Sequence, residues 1–303
     1  MSTRQLSVDP LWPRAGAWPS LDGIPGDEAV DLAFLGIPTW RTSLSATGAG
    51  ETPAAVREAL RYYAAFVPGS EVERLAFADA GDVDEPDGPE GEGRAIAAMA
   101  DAVGRSRVTV AVGGDNALTV PAALGAWGDA LPTAGLITLD AHHDLRDGVS
   151  NGSPVRRLVE AGLDGRRVVQ IGIADFANSP AYAARAEAYG ITVVPRDALH
   201  GRPIDDVMAE AVEIAGAAGG PVHVDLDVDV CDRSVAPGCP ASVPGGLAAW
   251  ELRSFARLAG ASGAVRSVDI AEVDATADAP DGRTVRLAAL LVLEVAAGLA
   301  SRG

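Results

Sequence analysis

The chain contains no lysine, because its 24 basic residues are all arginine, and it contains only two cysteines and four histidines. Without a lysine amine, Schiff-base catalysis and a P-loop nucleotide site are both excluded. Two cysteines, Cys231 and Cys239, are too few for a disulfide framework, and no secretory signal is recognisable. No stretch of about 18 or more uninterrupted apolar residues predicts a membrane span. The sequence therefore predicts a cytoplasmic protein.

Basic residues are also few relative to acidic ones. The chain has 24 basic and 42 acidic residues, which gives a formal net charge of −18 at pH 7. An acidic surface repels phosphate backbones and anionic lipid headgroups, so we expect neither a nucleic-acid nor a membrane partner. It attracts a small cationic molecule, although some of the negative charge can belong to metal ligands. Hydrophobic residues make up 48% of the chain, which is ordinary for a globular protein.

Short apolar runs alternate with longer helical patterns along the chain, which predicts one α/β domain over residues 1–303 with an amino-terminal extension at 1–26. Several runs are apolar on both faces, as in strands of a covered parallel sheet. The predicted strands are 30–36, 108–112, 135–139, 168–173, 191–194, 222–226 and 265–270. The predicted helices are 53–63, 93–103, 153–161, 179–189, 204–218, 248–259 and 284–300. Residues 79–93, rich in acidic residues, Gly and Pro, are predicted to be a solvent loop.

Acidic side chains follow four of the predicted strands, and ligands of parallel α/β sheets bind outside the carboxyl ends of their strands. Carboxylates that converge there with an imidazole would repel one another, and a divalent cation relieves that repulsion. Mixed carboxylate and imidazole ligands suit Mn²⁺, Fe²⁺, Ni²⁺ or Zn²⁺ better than Ca²⁺, and two metals about 3.5–4 Å apart are possible. The polar residues that follow the four strands are Asp115 and Asn116, then Asp140, His142 and Asp144, then Asp227, Asp229 and Asp232, and finally Glu272 and Asp274.

The backbone conformation at these positions is predicted from their spacing. In Asp140-x-His142-x-Asp144 the spacing has a period of two, so all three side chains face one side if the backbone stays extended. Asp227-x-Asp229 has the same period. A single Asp-x-Asp at a strand end is usually a loop or a helix cap, but both runs at strand ends of one chain favour a metal site.

These runs resemble the signatures of the ureohydrolase superfamily, which includes arginases, agmatinases and formimidoylglutamases. Residues 140–144, Asp-Ala-His-His-Asp, are similar to its Asp-Ala-His-x-Asp signature, and residues 227–232 are similar to Asp-x-Asp-x-x-Asp. Residues 113–116 resemble its Gly-Gly-Asp-His turn, and residues 272–274 resemble its late Glu-Val-Asn/Asp element. The likeness spans roughly residues 30 to 300, in order.

The resemblance implies a three-layer α/β/α sandwich with a mostly parallel central sheet and one or two Mn²⁺ ions per subunit. It also implies that Asp140 and Asp227 bridge the metals, that His142 and Asp229 complete one of them, and that Asp144 serves the other. The metals would activate a water for attack on an amidine carbon. The likeness further implies a homo-oligomer, a trimer or a hexamer.

Two positions depart from the pattern. Asn116 stands where the family has His, and an amide oxygen is a weaker, neutral ligand, so we expect the metal shared by Asp140, Asp144 and Asp227 to bind less tightly or to be absent. Asn151 stands where arginases place a proton-shuttling His, and it cannot titrate. The Asn-Gly-Ser-Pro run at 151–154 and the Asp-Leu-Arg run at 144–146 are closer to formimidoylglutamase-like members.

The favoured function is hydrolysis of N-formimidoyl-L-glutamate to glutamate and formamide. Its dianionic tail needs cationic partners, for which Arg41, Arg146, Arg156 and Arg157 are candidates. The alternatives are an agmatinase, a guanidino-acid hydrolase or a hydroxyarginine hydrolase, which release urea or hydroxyurea, and a metal-depleted, non-catalytic binding homologue. The predicted catalytic residues are Asp144, His142 and Glu272. The predicted substrate-binding residues are Glu272, which would receive the cationic nitrogen, Asn151, Arg146 and His143, although His143 can also be only the variable residue of its signature.

Overall fold

The structure, a computed structural model, describes residues 6–26 and 28–302. In that part of the chain, eight strands form one sheet in the order β2-β1-β3-β8-β7-β4-β5-β6, and every pair of neighbours is parallel. The strands are β1 (Val30–Ile37), β2 (Phe77–Asp82), β3 (Ser106–Gly113), β4 (Gly135–Leu139), β5 (Val168–Ile173), β6 (Thr192–Pro195), β7 (Val222–Asp227) and β8 (Val265–Ala271). The predicted α/β class and parallel sheet are confirmed.

Helices cover both faces of the sheet, which explains why β4, β5 and β7 are buried at every position. One face carries α1 (Thr52–Leu60), α6 (Ile204–Ala215), α7 (Ala249–Ala261) and α8 (Arg283–Leu299). The other carries α2 (Pro89–Gly104), α3 (Thr119–Trp127), α4 (Pro154–Ala161) and α5 (Pro180–Tyr189). The architecture is therefore the expected three-layer sandwich.

The carboxy-terminal helix contains a long apolar run. By length and composition, Arg283–Arg302 could cross a membrane, with a mean hydropathy of 1.7, but 72% of that apolar window is buried inside the fold. It packs against α7 and α1. We therefore describe α8 as a core helix.

Two elements were not predicted. The first, β2, overlaps the start of the predicted loop 79–93; it is a half-exposed edge strand whose sequence, Phe-Ala-Asp-Ala-Gly-Asp, lacks a strong apolar alternation. The end of that segment belongs to α2, which begins at Pro89. The second, α3, is buried at nearly every position, so it shows no polar face from which a helical period could be recognised.

Residues 18–20 of the amino-terminal extension lie at the outer edge of the sheet. The ring of Trp18 stacks on that of Phe77 in β2, with centroids 4.9 Å apart and planes 10° apart, and Ser20 forms an isolated parallel bridge with Asp79. An uncovered edge strand invites pairing with other chains, and the extension blocks part of this edge.

Candidate metal and substrate site

The candidate residues meet at the carboxyl ends of four neighbouring strands at the centre of the sheet, β3, β8, β7 and β4. Asn116 follows β3, Asp140 follows β4, Asp227 ends β7 and Glu272 follows β8. These strand ends surround a cavity of about 420 Å³. Its lining includes His142, His143, Asp144, Arg146, Asn151, Asp227, Asp229 and Glu272. The sequence thus correctly predicted which strand ends come together.

Three of the predicted ligands form a compact group. One ligand atom from each of Asp140, His142 and Asp229 can be chosen so that all lie within 4.8 Å of one another. His142 Nδ1 lies 2.7 Å from Asp229 Oδ2 and 3.5 Å from Asp140 Oδ1. Asp144 and Asp227 line the same cavity.

The backbone at 140–144 is not extended, contrary to the prediction from its spacing. The side chains of the site converge because turns follow the strands. Residues 140–144 lie outside β4, and Asp144 has a left-handed φ of 53°, which is uncommon for a residue other than glycine. Asp229 lies in a 3-10 turn, Val228–Val230, in which its N–H donates to Asp227 Oδ1 at 2.8 Å. The backbone N–H of Ala141 in turn donates to Asp229 Oδ1 at 3.0 Å. Backbone donors therefore hold the carboxylates in place.

Burial makes this group of acids electrostatically unstable without a cation. It raises the pKa of Asp140 to about 7, with the charge of Asp229 adding to the effect, and raises the pKa values of Asp144 and Asp227 well above their ordinary range. Burial acts to lower the pKa of His142, but the adjacent Asp229 carboxylate outweighs it and raises that pKa to about 12. A protonated His142 is thus the only positive side chain within the group Asp140, His142 and Asp229.

The donor set fits a divalent metal. Oδ2 of Asp140 is buried and has no hydrogen-bond partner among residues 6–26 and 28–302. A buried carboxylate oxygen without a partner is costly, and a cation is the partner that its charge favours. Oxygen donors with one imidazole nitrogen suit Mn²⁺.

The side-chain amide of Asn116 points its nitrogen, and not its oxygen, at Asp144. Its Nδ2 donates to Asp144 Oδ2 at 2.6 Å, and its Oδ1 accepts from the hydroxyl of Thr119 at 2.6 Å. Because a hydroxyl can also accept, rotating the amide by 180° would keep the bond to Thr119 and turn the oxygen towards Asp144. Both orientations therefore fit the same heavy-atom positions.

Glu272 is held in a strained conformation with one oxygen already occupied. It has a left-handed φ of 58°, and Oε1 accepts from the N–H of Asn116 at 2.9 Å and from Nδ2 of Asn151 at 2.7 Å. Asn151 is itself fixed, because its Oδ1 accepts from the N–H of Leu44 at 3.0 Å. Oε2 of Glu272 remains for a ligand. Burial raises the pKa of Glu272 to about 8, which a bound cation would reverse.

The four candidate arginines differ in their ion pairs and in whether they line the cavity. Arg157 pairs with Glu92 at 2.8 Å and Arg41 pairs with Glu85 at 3.3 Å, and neither lines the cavity. Arg156 is buried, donates to the carbonyls of Arg146 and Gly148, and pairs with Glu160. Arg146 lines the cavity and is exposed there, and among the described residues it forms no ion pair.

Sequence inspection missed the two amides that hold His143. Gln170 of β5 donates from Nε2 to the His143 carbonyl at 2.9 Å, and its Oε1 lies 2.7 Å from His143 Nδ1. Oδ1 of Asn178 accepts from the backbone N–H of His143 at 3.0 Å. Burial lowers the pKa of His143 and so favours its neutral form. The signal was available for Gln170, because an amide inside the apolar run Val-Val-Gln-Ile-Gly-Ile needs a buried partner.

Comparisons with known proteins agree with this geometry. The profile of the Arginase family matches residues 30–298. The chain is 33% identical to a formimidoylglutamase of Halalkalibacterium halodurans over 278 residues, which cover 88% of this chain and 86% of that protein. The crystal structure of formimidoylglutamase from Bacillus subtilis superposes with a TM-score of 0.89 and 28% identity, over 99% of this chain and 95% of that one. Trypanosoma cruzi formiminoglutamase with Mn²⁺ superposes with a TM-score of 0.82 and 24% identity, over 90% and 95%.

Proposed function

Because this chain belongs to the arginase family, we propose that it is a manganese-dependent hydrolase that converts N-formimidoyl-L-glutamate to L-glutamate and formamide. Hydrolysis of a C–N bond in a linear amidine is the reaction class that the matched relatives share. The observation that carries the substrate assignment is Arg146, a cavity-lining arginine without an ion pair among the described residues. A substrate carboxylate that enters the cavity can pair with this exposed guanidinium.

The metal assignment rests on the donors at the cavity. Asp140, His142, Asp144, Asp227 and Asp229 would hold the metal, with His142 and Asp229 at one position and Asp144 at the other. When bound, Mn²⁺ supplies Lewis-acid activation of water near neutral pH. His142 would then act as a neutral ligand through Nδ1, in place of its present ion pairing with Asp229.

Asn116 would complete the second ion with its amide oxygen. The orientation that points Nδ2 at Asp144 suits a bare carboxylate, whereas a cation beside Asp144 favours the flipped amide. Thr119 can accept from the flipped amide as readily as it now donates to it. A neutral oxygen donor contributes less than an imidazole, so we propose unequal affinities at the two positions.

Glu272 and Arg146 would orient the substrate from opposite ends. Oε2 of Glu272 accepts from the amidinium, and Arg146 pairs with a tail carboxylate. Water adds to the amidine carbon, and the bond from that carbon to the glutamate nitrogen breaks. The protons of the water go to the departing nitrogen, which leaves as an ammonium, and the carbon departs as formamide. Asp144, on the cavity wall, is placed to accept and return a proton during this transfer.

A panel of substrates tests the proposal. With added Mn²⁺, N-formimidoyl-L-glutamate should be turned over with a higher kcat/KM than agmatine, guanidino acids and hydroxyarginine, and formamide should be the product. Agmatine lacks a carboxylate and gives Arg146 nothing to bind. Urea release from a guanidine at a higher kcat/KM would replace this assignment with the guanidinase alternative.

Arg146 provides a sharper test within the panel. We expect Arg146→Leu to raise the KM for N-formimidoyl-L-glutamate about 10- to 100-fold, the loss typical of one charged hydrogen-bonded contact. It should leave the turnover of formamidine, which has no carboxylate, unchanged. Arg41→Leu is the matched control, because Arg41 pairs with Glu85 away from the cavity. Equal effects of the two substitutions would remove Arg146 from the substrate site.

We also propose that residues 1–303 act as one domain, in a cytoplasmic homo-oligomer that is a trimer or a hexamer. The support is the single sheet through which all eight strands pair, together with the family likeness. Light scattering coupled to size-exclusion chromatography measures the oligomeric mass. A monomer at micromolar concentration would contradict this assignment.

A further inference from the structure

Gly152 lies against the side chain of Arg146, and both residues line the cavity. A Cβ atom placed on Gly152 would lie 2.7 Å from Cδ and 3.1 Å from Nε of Arg146. Carbon atoms in contact are normally about 3.5–4.0 Å apart, so the arginine occupies the space that a methyl group would need. Only glycine at position 152 leaves Arg146 where it lies.

Leu44 borders the same space from a distant part of the chain. Its Cδ1 lies 3.2 Å from the Cβ position of Gly152. Leu44 belongs to the loop after β1 and Arg146 to the loop after β4, and the strands β3, β8 and β7 lie between those two in the sheet. The side chains of Leu44 and Arg146 therefore reach Gly152 from opposite sides of the site.

The backbone that carries Arg146 and Gly152 is held by hydrogen bonds. The N–H of Arg146 donates to the carbonyl of Gly152 at 2.9 Å, and Nε of Arg156 donates to the carbonyl of Arg146 at 2.6 Å. In the same turn, the N–H of Ser153 donates to the carbonyl of Ser150 at 3.2 Å, and the N–H of Ser150 donates to Oγ of Ser153 at 3.0 Å. A side chain at position 152 would therefore be accommodated by movement of the arginine side chain and not of the backbone.

The residue before Gly152 holds the other end of the substrate site. Nδ2 of Asn151 donates to Oε1 of Glu272 at 2.7 Å, and Oδ1 of Asn151 accepts from the N–H of Leu44 at 3.0 Å. Asn151 thus fixes the carboxylate that is proposed to bind the amidinium, and Gly152 makes room for the arginine that is proposed to bind the tail. Two adjacent residues therefore serve the two ends of one substrate.

We propose that Gly152 is a specificity-determining residue, because its lack of a side chain allows Arg146 to lie on the cavity wall and bind a substrate carboxylate. This inference rests on the proposed function and deepens it by naming what selects amidines with a carboxylate in the tail. Gly152 acts through Arg146 and is a positioning residue. A side chain at position 152 displaces the guanidinium and weakens the binding of such tails.

Gly152→Ala is the direct test. We expect it to raise the KM for N-formimidoyl-L-glutamate about tenfold, near the lower limit for the loss of one charged hydrogen-bonded contact, and to leave kcat within about twofold of the wild type. The kcat/KM for formamidine, which has no carboxylate, should also stay within about twofold. Gly93→Ala is the matched control. It should match the wild type, because Gly93 of α2 does not line the cavity and its Cβ would meet no described residue within 4 Å.

A double-mutant cycle distinguishes positioning from a general disturbance of the loop. Arg146→Ala removes the arginine atoms that a Cβ at position 152 would meet. In that background, adding Gly152→Ala should change the KM for N-formimidoyl-L-glutamate by less than about twofold. A disturbed loop would instead raise the KM by the same factor in both backgrounds, and it would slow formamidine turnover because Asn151 holds Glu272. Either result would overturn the proposal.

Binding and stability provide readouts that need no turnover. Isothermal titration of the Mn²⁺-loaded enzyme with L-glutamate, the proposed product, should show a Kd about tenfold higher in Gly152→Ala and unchanged in Gly93→Ala. Gly152 has no left-handed φ, and a Cβ there would meet side-chain atoms first, so the variant should melt within about 2 °C of the wild type. If Gly152→Ala does not fold, adding Arg146→Ala should restore folding. A double variant that still fails to fold would overturn the proposal.

The failure of this inference differs from the failure of the proposed function. If Arg146→Leu raises the KM for N-formimidoyl-L-glutamate and Gly152→Ala leaves it within about twofold of the wild type, the role of Gly152 is wrong and the proposed function stands. If neither substitution raises the KM, the assignment of Arg146 to the substrate tail is wrong, and this inference falls with it.

Discussion

Two groups of buried carboxylates in this protein are neutralised in different ways. Glu294 of α8 is 6% exposed and pairs with Arg253 and Arg257 of α7, at 2.6 Å to each. Asp140 and Asp227 are buried as deeply, but in the part of the chain that the structure describes they have no arginine partner. Glu294 thus has fixed cations from its own chain, whereas we propose that a metal ion neutralises Asp140 and Asp227.

The two groups also differ in their backbone. Glu294 lies within a regular helix, while Asp144 and Glu272 adopt left-handed φ angles of 53° and 58°. Strained conformations persist only where the surroundings hold them, and they concentrate where a side chain must point in one direction. The ion pairs between α7 and α8 thus contribute to stability, whereas the held geometry at the strand ends favours ligand binding.

The largest expected effect comes from substituting one carboxylate of each kind and comparing catalytic activity. Asp227→Asn should lower kcat/KM by about 10³-fold or more, because it removes the proposed bridging ligand. Glu294→Gln should keep kcat/KM near that of the wild type and lower the free energy of unfolding by about 1–3 kcal/mol. That range is reduced because Arg253 and Arg257 are 40% and 45% exposed. Steady-state kinetics and urea unfolding of both variants measure the contrast.

Metal removal is the next largest effect. Mn²⁺ at about 100 times its Kd should stabilise the folded protein by about 2.7 kcal/mol relative to the metal-free form, through mass action. Glu294→Gln should retain that increment and Asp227→Asn should lose most of it. Thermal melts with EDTA and with Mn²⁺ provide the measurement. A wild-type melt that is the same in both would favour the non-catalytic alternative.

A smaller effect concerns the second metal position. Asn116→His should tighten the weaker ion by about tenfold or more, since imidazole replaces a neutral amide oxygen. Isothermal titration with Mn²⁺, and metal content after dialysis against a chelator, measure both sites. Two equally tight, chelator-resistant ions in the wild type would contradict the unequal affinities.

The last expected effect is the pH dependence of the stability of the metal-free protein. Burial raises the pKa of Asp140 to about 7 and that of Glu272 to about 8, so between about pH 4 and 8 the folded state binds more protons than the unfolded state. Stability should therefore fall as pH rises through this window, by at most about 1.4 kcal/mol per pH unit for each extra bound proton. Mn²⁺ holds the ligand carboxylates ionised and should flatten the slope. A metal-free protein whose stability rises over this window would contradict the assignment.

Much of the site could be predicted from the sequence because its residues follow strands with unambiguous apolar runs. The ends of β4 and β7 were located directly, and the parallel sheet then brings Asp140 and Asp227 to one edge. Edge strand β2 and buried helix α3 were missed, since one lacks alternation and the other lacks a polar face.

The finer geometry depends on contacts between segments far apart in the chain. The sequence could not show that Asn151 bridges Leu44 and Glu272, because the three residues meet only in the folded protein. For the same reason it could not separate Arg146 from Arg156, which is held by backbone carbonyls and Glu160. The choice among arginines needed the structure.

The most direct test is anomalous diffraction at the manganese edge from crystals grown with excess Mn²⁺. A peak bounded by Asp140, His142 and Asp229, with a second, weaker peak beside Asp144 and Asn116, is the predicted result. A cavity without an anomalous peak, or manganese bound only elsewhere on the protein, would contradict the claim that these carboxylates are held together by a divalent cation.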